Sequence, residues 1–171
     1  MKIFISPGHY PEKSGAVNEQ FELEEHQEAV KVVDALFQLP STNNDYIMVP
    51  AGTLKKKIDF ISGHGPCGLA VEIHFNACES KQGRGIETLY LTDDSKILAH
   101  SCQESLVNTL PLIDRGIKPR NDLYLLNQCP VPAVIIEVLF IDNAEDVQYL
   151  FFPRAHEIIA RAIYQGIERY L

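Results

Sequence analysis

A single α/β domain, with a twisted, mostly parallel or mixed central sheet and helices on both faces, is predicted by three features of the sequence. Short apolar runs alternate with longer segments of helical period, as strands joined by crossover helices do. The 171 residues suit one domain, with 46% hydrophobic and 22% charged residues, an ordinary globular balance. No repeat, linker or low-complexity stretch divides residues 1–171.

The elements follow in order. Residues 2–6 form a short apolar strand ending at Pro7-Gly8. Residues 22–37 carry Ala29, Val30, Val33, Leu36 and Phe37 at helical spacing. Pro40 stops that helix, because proline cannot extend the hydrogen-bond ladder. Residues 46–49 read as a strand and 54–61 as a helix closed by Gly63. Residues 69–75 make a buried strand interrupted by two polar residues. Residues 85–92 alternate as another strand, 95–110 are helical, and a loop containing Pro and Gly follows. Residues 133–140 are the most apolar strand, and helices over 144–150 and 153–170 close the chain.

Charge and cysteine usage narrow the function. A formal charge of −8 argues against a nucleic-acid partner, since phosphate binding needs concentrated Lys and Arg. The one basic run, Lys55-Lys56-Lys57, reads as a solvated helix face. Cys67, Cys78, Cys102 and Cys129 lack Cys-x-x-Cys spacing and read as free thiols rather than a disulfide framework. The apolar start, Ile3-Phe4-Ile5, is far shorter than the ~7–15 residues of a signal-peptide core. No segment approaches the ~18 apolar residues of a membrane span. The expectation is a soluble chain made in the cytoplasm, with no membrane partner.

Three polar residues break the apolar pattern. Glu137 lies inside a run of Val, Ile, Leu and Phe, where an ionised carboxylate is costly unless it has a partner or a task. His74 ends another core strand, and His9 directly follows the first strand. Strand ends in an open α/β sheet converge on a common crevice where ligands bind. Singly, each residue has a structural explanation. Together they suggest a metal site, because two imidazoles and one carboxylate leave a tetrahedral zinc an open position for water. The third ligand comes from the acidic cluster Glu19, Glu22, Glu24 and Glu25 at the first helix. At ~100° per residue, Glu22 falls near the middle of the apolar arc and is the first choice. Glu25 lies nearer its edge and remains the alternative.

The motifs Ser6-Pro7-Gly8-His9, Ser14-Gly15-Ala16-Val17, Glu72-Ile73-His74-Phe75-Asn76-Ala77 and the segment from Pro132 through Glu137 to Asp146 occur in that order. With the runs from Gly83 to Tyr90 and from Asp114 to Leu126, the series resembles the zinc-dependent N-acetylmuramoyl-L-alanine amidases of bacterial autolysins and phage endolysins. The resemblance spans essentially the whole chain. It implies zinc on His9, His74 and Glu22 or Glu25, with Glu137 as the catalytic glutamate. Glu137 would deprotonate the attacking water and then protonate the leaving amine. The implied substrate is the amide between N-acetylmuramic acid and L-alanine in peptidoglycan, reached after lysis or by another route of export.

Two departures stand out. The family usually has Asp before Pro-Gly-His and a second Gly after it, whereas Ser6 and Tyr10 stand there. Ser6 removes a carboxylate of the kind that orients zinc-bound histidines, and Tyr10 reshapes the mouth of the site. Two other readings remain open: a zinc carboxypeptidase-like peptidase with Arg115 as carboxylate binder, and a non-catalytic peptidoglycan-binding protein of the same fold.

Overall fold

Strand direction and side-chain parity set where the polar residues emerge. The computed structural model describes residues 1–40 and 43–171. In chain order the elements are β1 (Lys2–Pro7), β2 (Val17–Asn18), β3 (Leu23–Glu24), α1 (Glu25–Phe37), β4 (Asp45–Met48), α2 (Leu54–Gly63) and β5 (Leu69–Asn76). Then come β6 (Ile86–Tyr90), α3 (Asp93–Thr109), β7 (Asp114–Pro119), α4 (Tyr124–Gln128), β8 (Ala133–Phe140), a 3-10 turn (Asp146–Phe151) and α5 (Ala155–Tyr170). The main sheet has the order β4-β1-β5-β8-β6-β7. Its first four strands run parallel, β6 lies antiparallel to β8, and β7 follows β6 in parallel. The sheet is mixed, as the alternation of elements predicts.

Successive side chains of a strand point to opposite faces, and the two cores divide on that rule. Ile3, Ile5, Val71, Ile73, Phe75, Val134, Ile136 and Val138 join the larger core with residues of α1, α3 and α5. Phe4, Ala70, Ala133 and Ile135 join the smaller core with Ile58 and Ile61 of α2 and Leu125 and Leu126 of α4. Glu72 and His74 share the parity of Ala70, and Glu137 that of Ile135. All three therefore belong to the α2 face, towards the carboxyl ends of β5 and β8.

The described structure departs from the sequence reading in a few elements. The first helix starts at Glu25, not at residue 22, because a two-stranded ladder precedes it, with Val17 opposite Glu24 and Asn18 opposite Leu23. Glu22 itself takes φ 54°, outside helical geometry. The expected loop after α3 contains β7 and α4. The edge strand β7 reads as a loop because Gly116 and Pro119 interrupt it and none of its residues is fully buried. Gln103 of α3 fastens β7 to its neighbour, donating to the Ile86 carbonyl and to Asp114 Oδ1. The stretch expected as a helix over 144–150 is a 3-10 turn. The four cysteines are free thiols.

Helices α3 and α5 meet at close range. Ser101 and Ser105 hydroxyls donate to the carbonyls of Gly166 and Ala162. A Cβ on Gly166 would lie 2.7 Å from the Cys102 Cα, so only glycine fits without moving a backbone. Gly166→Val should lower stability by about 1–3 kcal/mol through overpacking, read as a shift of the urea midpoint. An unchanged midpoint would show that the helices separate without cost.

Candidate active site

Three side chains from three separate segments converge at the carboxyl edge of the sheet. His9 follows β1 in the left-handed region, with φ 57°. Such backbone strain in a non-glycine residue costs of order 1–3 kcal/mol and persists where neighbours enforce it. Here the Gly8 amide donates to the Ile73 carbonyl, and the buried His26 hydrogen-bonds the Gly8 carbonyl through Nδ1 at 2.7 Å. His74 comes from β5. Glu25 is the first residue of α1, where a carboxylate also meets the positive end of the helix dipole.

The backbone packs directly onto these side chains. A Cβ on Gly8 would sit 2.6 Å from the His74 ring, and one on Gly15 would strike both Glu25 Oε2 and the His9 ring. Gly15 also has φ +82°, a conformation glycine adopts at least cost. The α1 start is tied to the same loop, since the Glu25 and His26 amides donate to the carbonyls of Ala16 and Ser14. The Ala16 amide returns a bond to Glu25 Oε2.

Glu25 bridges the two imidazoles, with His74 Nδ1 2.7 Å from Oε1 and His9 Nε2 3.1 Å from Oε2. Burial opposes its ionisation, but the hydrogen bonds to His74 and His9 prevail and lower its pKa to about 2. For His74, burial disfavours the charged form, yet the bonds to Glu25 and Glu72 lift its pKa well above the imidazole value.

One potential ligand atom from each of His9, Glu25 and His74 lies within 4.8 Å of the others. Two nitrogens and one carboxylate oxygen match the donors that zinc and similar first-row ions accept. The donor chemistry and the clearance kept by Gly8 and Gly15 therefore fit a metal.

Glu22 is not brought to this cluster. It is exposed and precedes the helix, so its calculated place on the apolar arc rested on helical geometry that starts only at Glu25. The alternative, Glu25, is the carboxylate that meets His9 and His74.

Glu137 stands beside the cluster on β8, in register with His74. Its Oε2 is shut away from solvent and has no hydrogen-bond partner among the described residues. Burial pushes its pKa up to about 7, with His74 pulling it down and Glu25 and Glu87 adding to the rise. The neighbouring Glu87 is the opposite case. Burial is outweighed there by Lys118 and Arg115, which keep its pKa low. Arg115 is thus occupied with Glu87 and also lies 4.8 Å over the Phe140 ring.

A cavity of about 490 Å³ opens beside His9 and His74, with Tyr10, Leu54 and Tyr124 among its walls. Tyr10 is therefore a wall of the cleft. Lys57 corrects another expectation: it is 1% exposed and paired with Glu72, not solvated like Lys55. The sequence signal was its spacing with Ile58 and Ile61, which is that of a buried helix face. Among the described residues no helix is long and apolar enough to cross a membrane.

The profile of a family described as N-acetylmuramoyl-L-alanine amidase matches residues 3–169. The amidase LytC of Bacillus subtilis (strain 168) is 32% identical over 179 residues, covering 98% of this chain and 35% of that protein. The germination-specific N-acetylmuramoyl-L-alanine amidase of the same organism is 27% identical, covering 98% of this chain and 78% of that one. The chain thus spans about a third of the first relative and about four fifths of the second. Among solved structures, an N-acetylmuramoyl-L-alanine amidase from Clostridium difficile 630 superposes with a TM-score of 0.91 at 26% identity, covering 99% of this chain and 95% of that chain.

The two glutamates separate cleanly by experiment. Glu25→Gln should lose bound divalent metal on dialysis, whereas Glu22→Ala should retain a full equivalent, measured by elemental analysis of folded protein. The reverse pattern would return the third position to Glu22.

Proposed function

The chain belongs to the N-acetylmuramoyl-L-alanine amidase family, and we propose that it works with one zinc ion held by His9, Glu25 and His74 and with Glu137 as the proton carrier. The reaction is hydrolysis of the amide between N-acetylmuramic acid and L-alanine in peptidoglycan. One observation carries the proposal: an unpartnered, buried carboxylate oxygen of Glu137 stands beside three converging metal-type ligands.

When bound, the metal supplies Lewis-acid polarisation of the scissile carbonyl and acidifies a water molecule. The protein's own groups do the remaining work. His9, Glu25 and His74 hold the ion, and Gly8 and Gly15 leave their rings and carboxylate room to converge. Glu137 Oε2 takes a proton from the attacking water. Burial, which raises the pKa of this carboxylate, suits it to accept that proton and give it up again. Its return to the departing amine nitrogen completes the cleavage, so that one residue acts as base and then as acid. The cleft beside His9, walled by Tyr10, Leu54 and Tyr124, is the space that admits the muramyl peptide.

Glu137→Gln should lower turnover by about 10²–10⁴-fold while zinc content stays at the wild-type level. Mass spectrometry of digested peptidoglycan gives the readout: stem peptides with a free N-terminal alanine, lost on chelation and restored by zinc. Near-wild-type release by the Gln variant would remove Glu137 from its role. Cleavage within the stem peptide would point to a peptidase.

A further inference from the structure

A buried ion pair lies behind the site, and the chemistry above makes no use of it. Lys57 and Glu72 are each 1% exposed, with Nζ 2.5 Å from Glu72 Oε1. Pairs of this kind often contribute no more stability than well-packed apolar residues, because both charges must be desolvated. The contacts of this pair point to a purpose other than stability. Glu72 Oε2 meets His74 Nε2 at 3.2 Å, on the side of the ring away from Glu25. Lys57 Nζ also donates to the carbonyl of Pro7, two residues before His9. The same ammonium therefore ties the segment that carries His9 to the strand that carries His74.

The two ring nitrogens of His74 have different neighbours. Nδ1 faces Glu25, a member of the metal-type cluster. To bind a cation there, Nδ1 must offer a lone pair, so the proton must reside on Nε2. A buried N–H needs an acceptor, and the carboxylate of Glu72 is in place. Ser6 is the register partner of Glu72 on the adjoining strand. Ser6 Oγ points to Glu72 Oε1 at 3.5 Å. Ser6 Oγ thus engages Oε1 and leaves Oε2 to face His74.

We propose that Glu72, anchored by Lys57, is the positioning residue that fixes the tautomer and orientation of His74 for metal binding. The inference rests on the reading that His9, Glu25 and His74 hold a metal ion. Removing a carboxylate of this kind from a metal-bound histidine weakens metal affinity by about 10–100-fold.

The test is zinc affinity by chelator competition on the wild type, Glu72→Leu and the double variant Lys57→Met with Glu72→Leu. The double variant avoids leaving a buried ammonium unpaired, so it serves even if the single variant fails to fold. Both should bind zinc about 10–100-fold more weakly. Long-range proton–nitrogen NMR of the zinc-loaded wild type should show His74 protonated at Nε2 with a downfield, hydrogen-bonded proton. The double variant should lose that downfield shift, a change that altered stability alone would not produce. Wild-type zinc affinity in a folded double variant would overturn the role of Glu72 and leave the metal reading standing. A wild type that binds no zinc would overturn both.

Discussion

Negative charge crowded at the carboxyl edge of the sheet is the constraint on which this site depends. Glu25, Glu72, Glu87 and Glu137 come from one helix start and three adjoining strands. In a poorly solvated pocket each carboxylate needs a counter-charge or a proton. Glu25 has two imidazoles, Glu72 has Lys57 and His74, and Glu87 has Arg115 and Lys118. Glu137 Oε2 has no such partner among the described residues. The compensated carboxylates are held low in pKa, while Glu137 is pushed up to about 7. One environment thus separates groups suited to binding from a group suited to moving a proton.

The fold meets this constraint by combining strand parity with parallel direction. Every second residue of β5 and β8 points to the α2 face, where Ala70, Ala133 and Ile135 build the smaller core. Further along the same strands, that parity delivers Glu72, His74 and Glu137 rather than aliphatic side chains. On the opposite face the apolar run continues through Phe75 and Val138. The strands therefore stay anchored by the larger core while their α2-facing ends turn polar. Helix α2 supplies Lys57 to the face it already covers, and α1 brings Glu25 in from its first residue.

Much of this was legible because burial and polarity conflict visibly in the sequence. Glu137 and His74 stood out inside apolar runs, and the strand carrying Glu137 runs from Ala133 to Phe140 as predicted. The glutamate of α1 was harder. A periodicity argument presumes that the helix has begun, whereas the Val17–Asn18 and Leu23–Glu24 ladder delays it to Glu25. Lys57 was concealed by its neighbours, since two exposed lysines make a run of three look solvated. Its burial follows from Ile58 and Ile61 on the same helix face. Strand β7 was concealed by composition, because its place rests on pairing with β6 and on Gln103 rather than on apolar side chains.

The central claim is that one zinc ion joins His9, Glu25 and His74 in front of Glu137. Anomalous diffraction at the zinc edge from crystals of the zinc-loaded protein tests it most directly. The account predicts a single strong peak bonded to His9 Nε2, a Glu25 oxygen and His74 Nδ1, at about 2.0–2.2 Å. A peak held by other residues, or none at this cluster at full zinc loading, would contradict it.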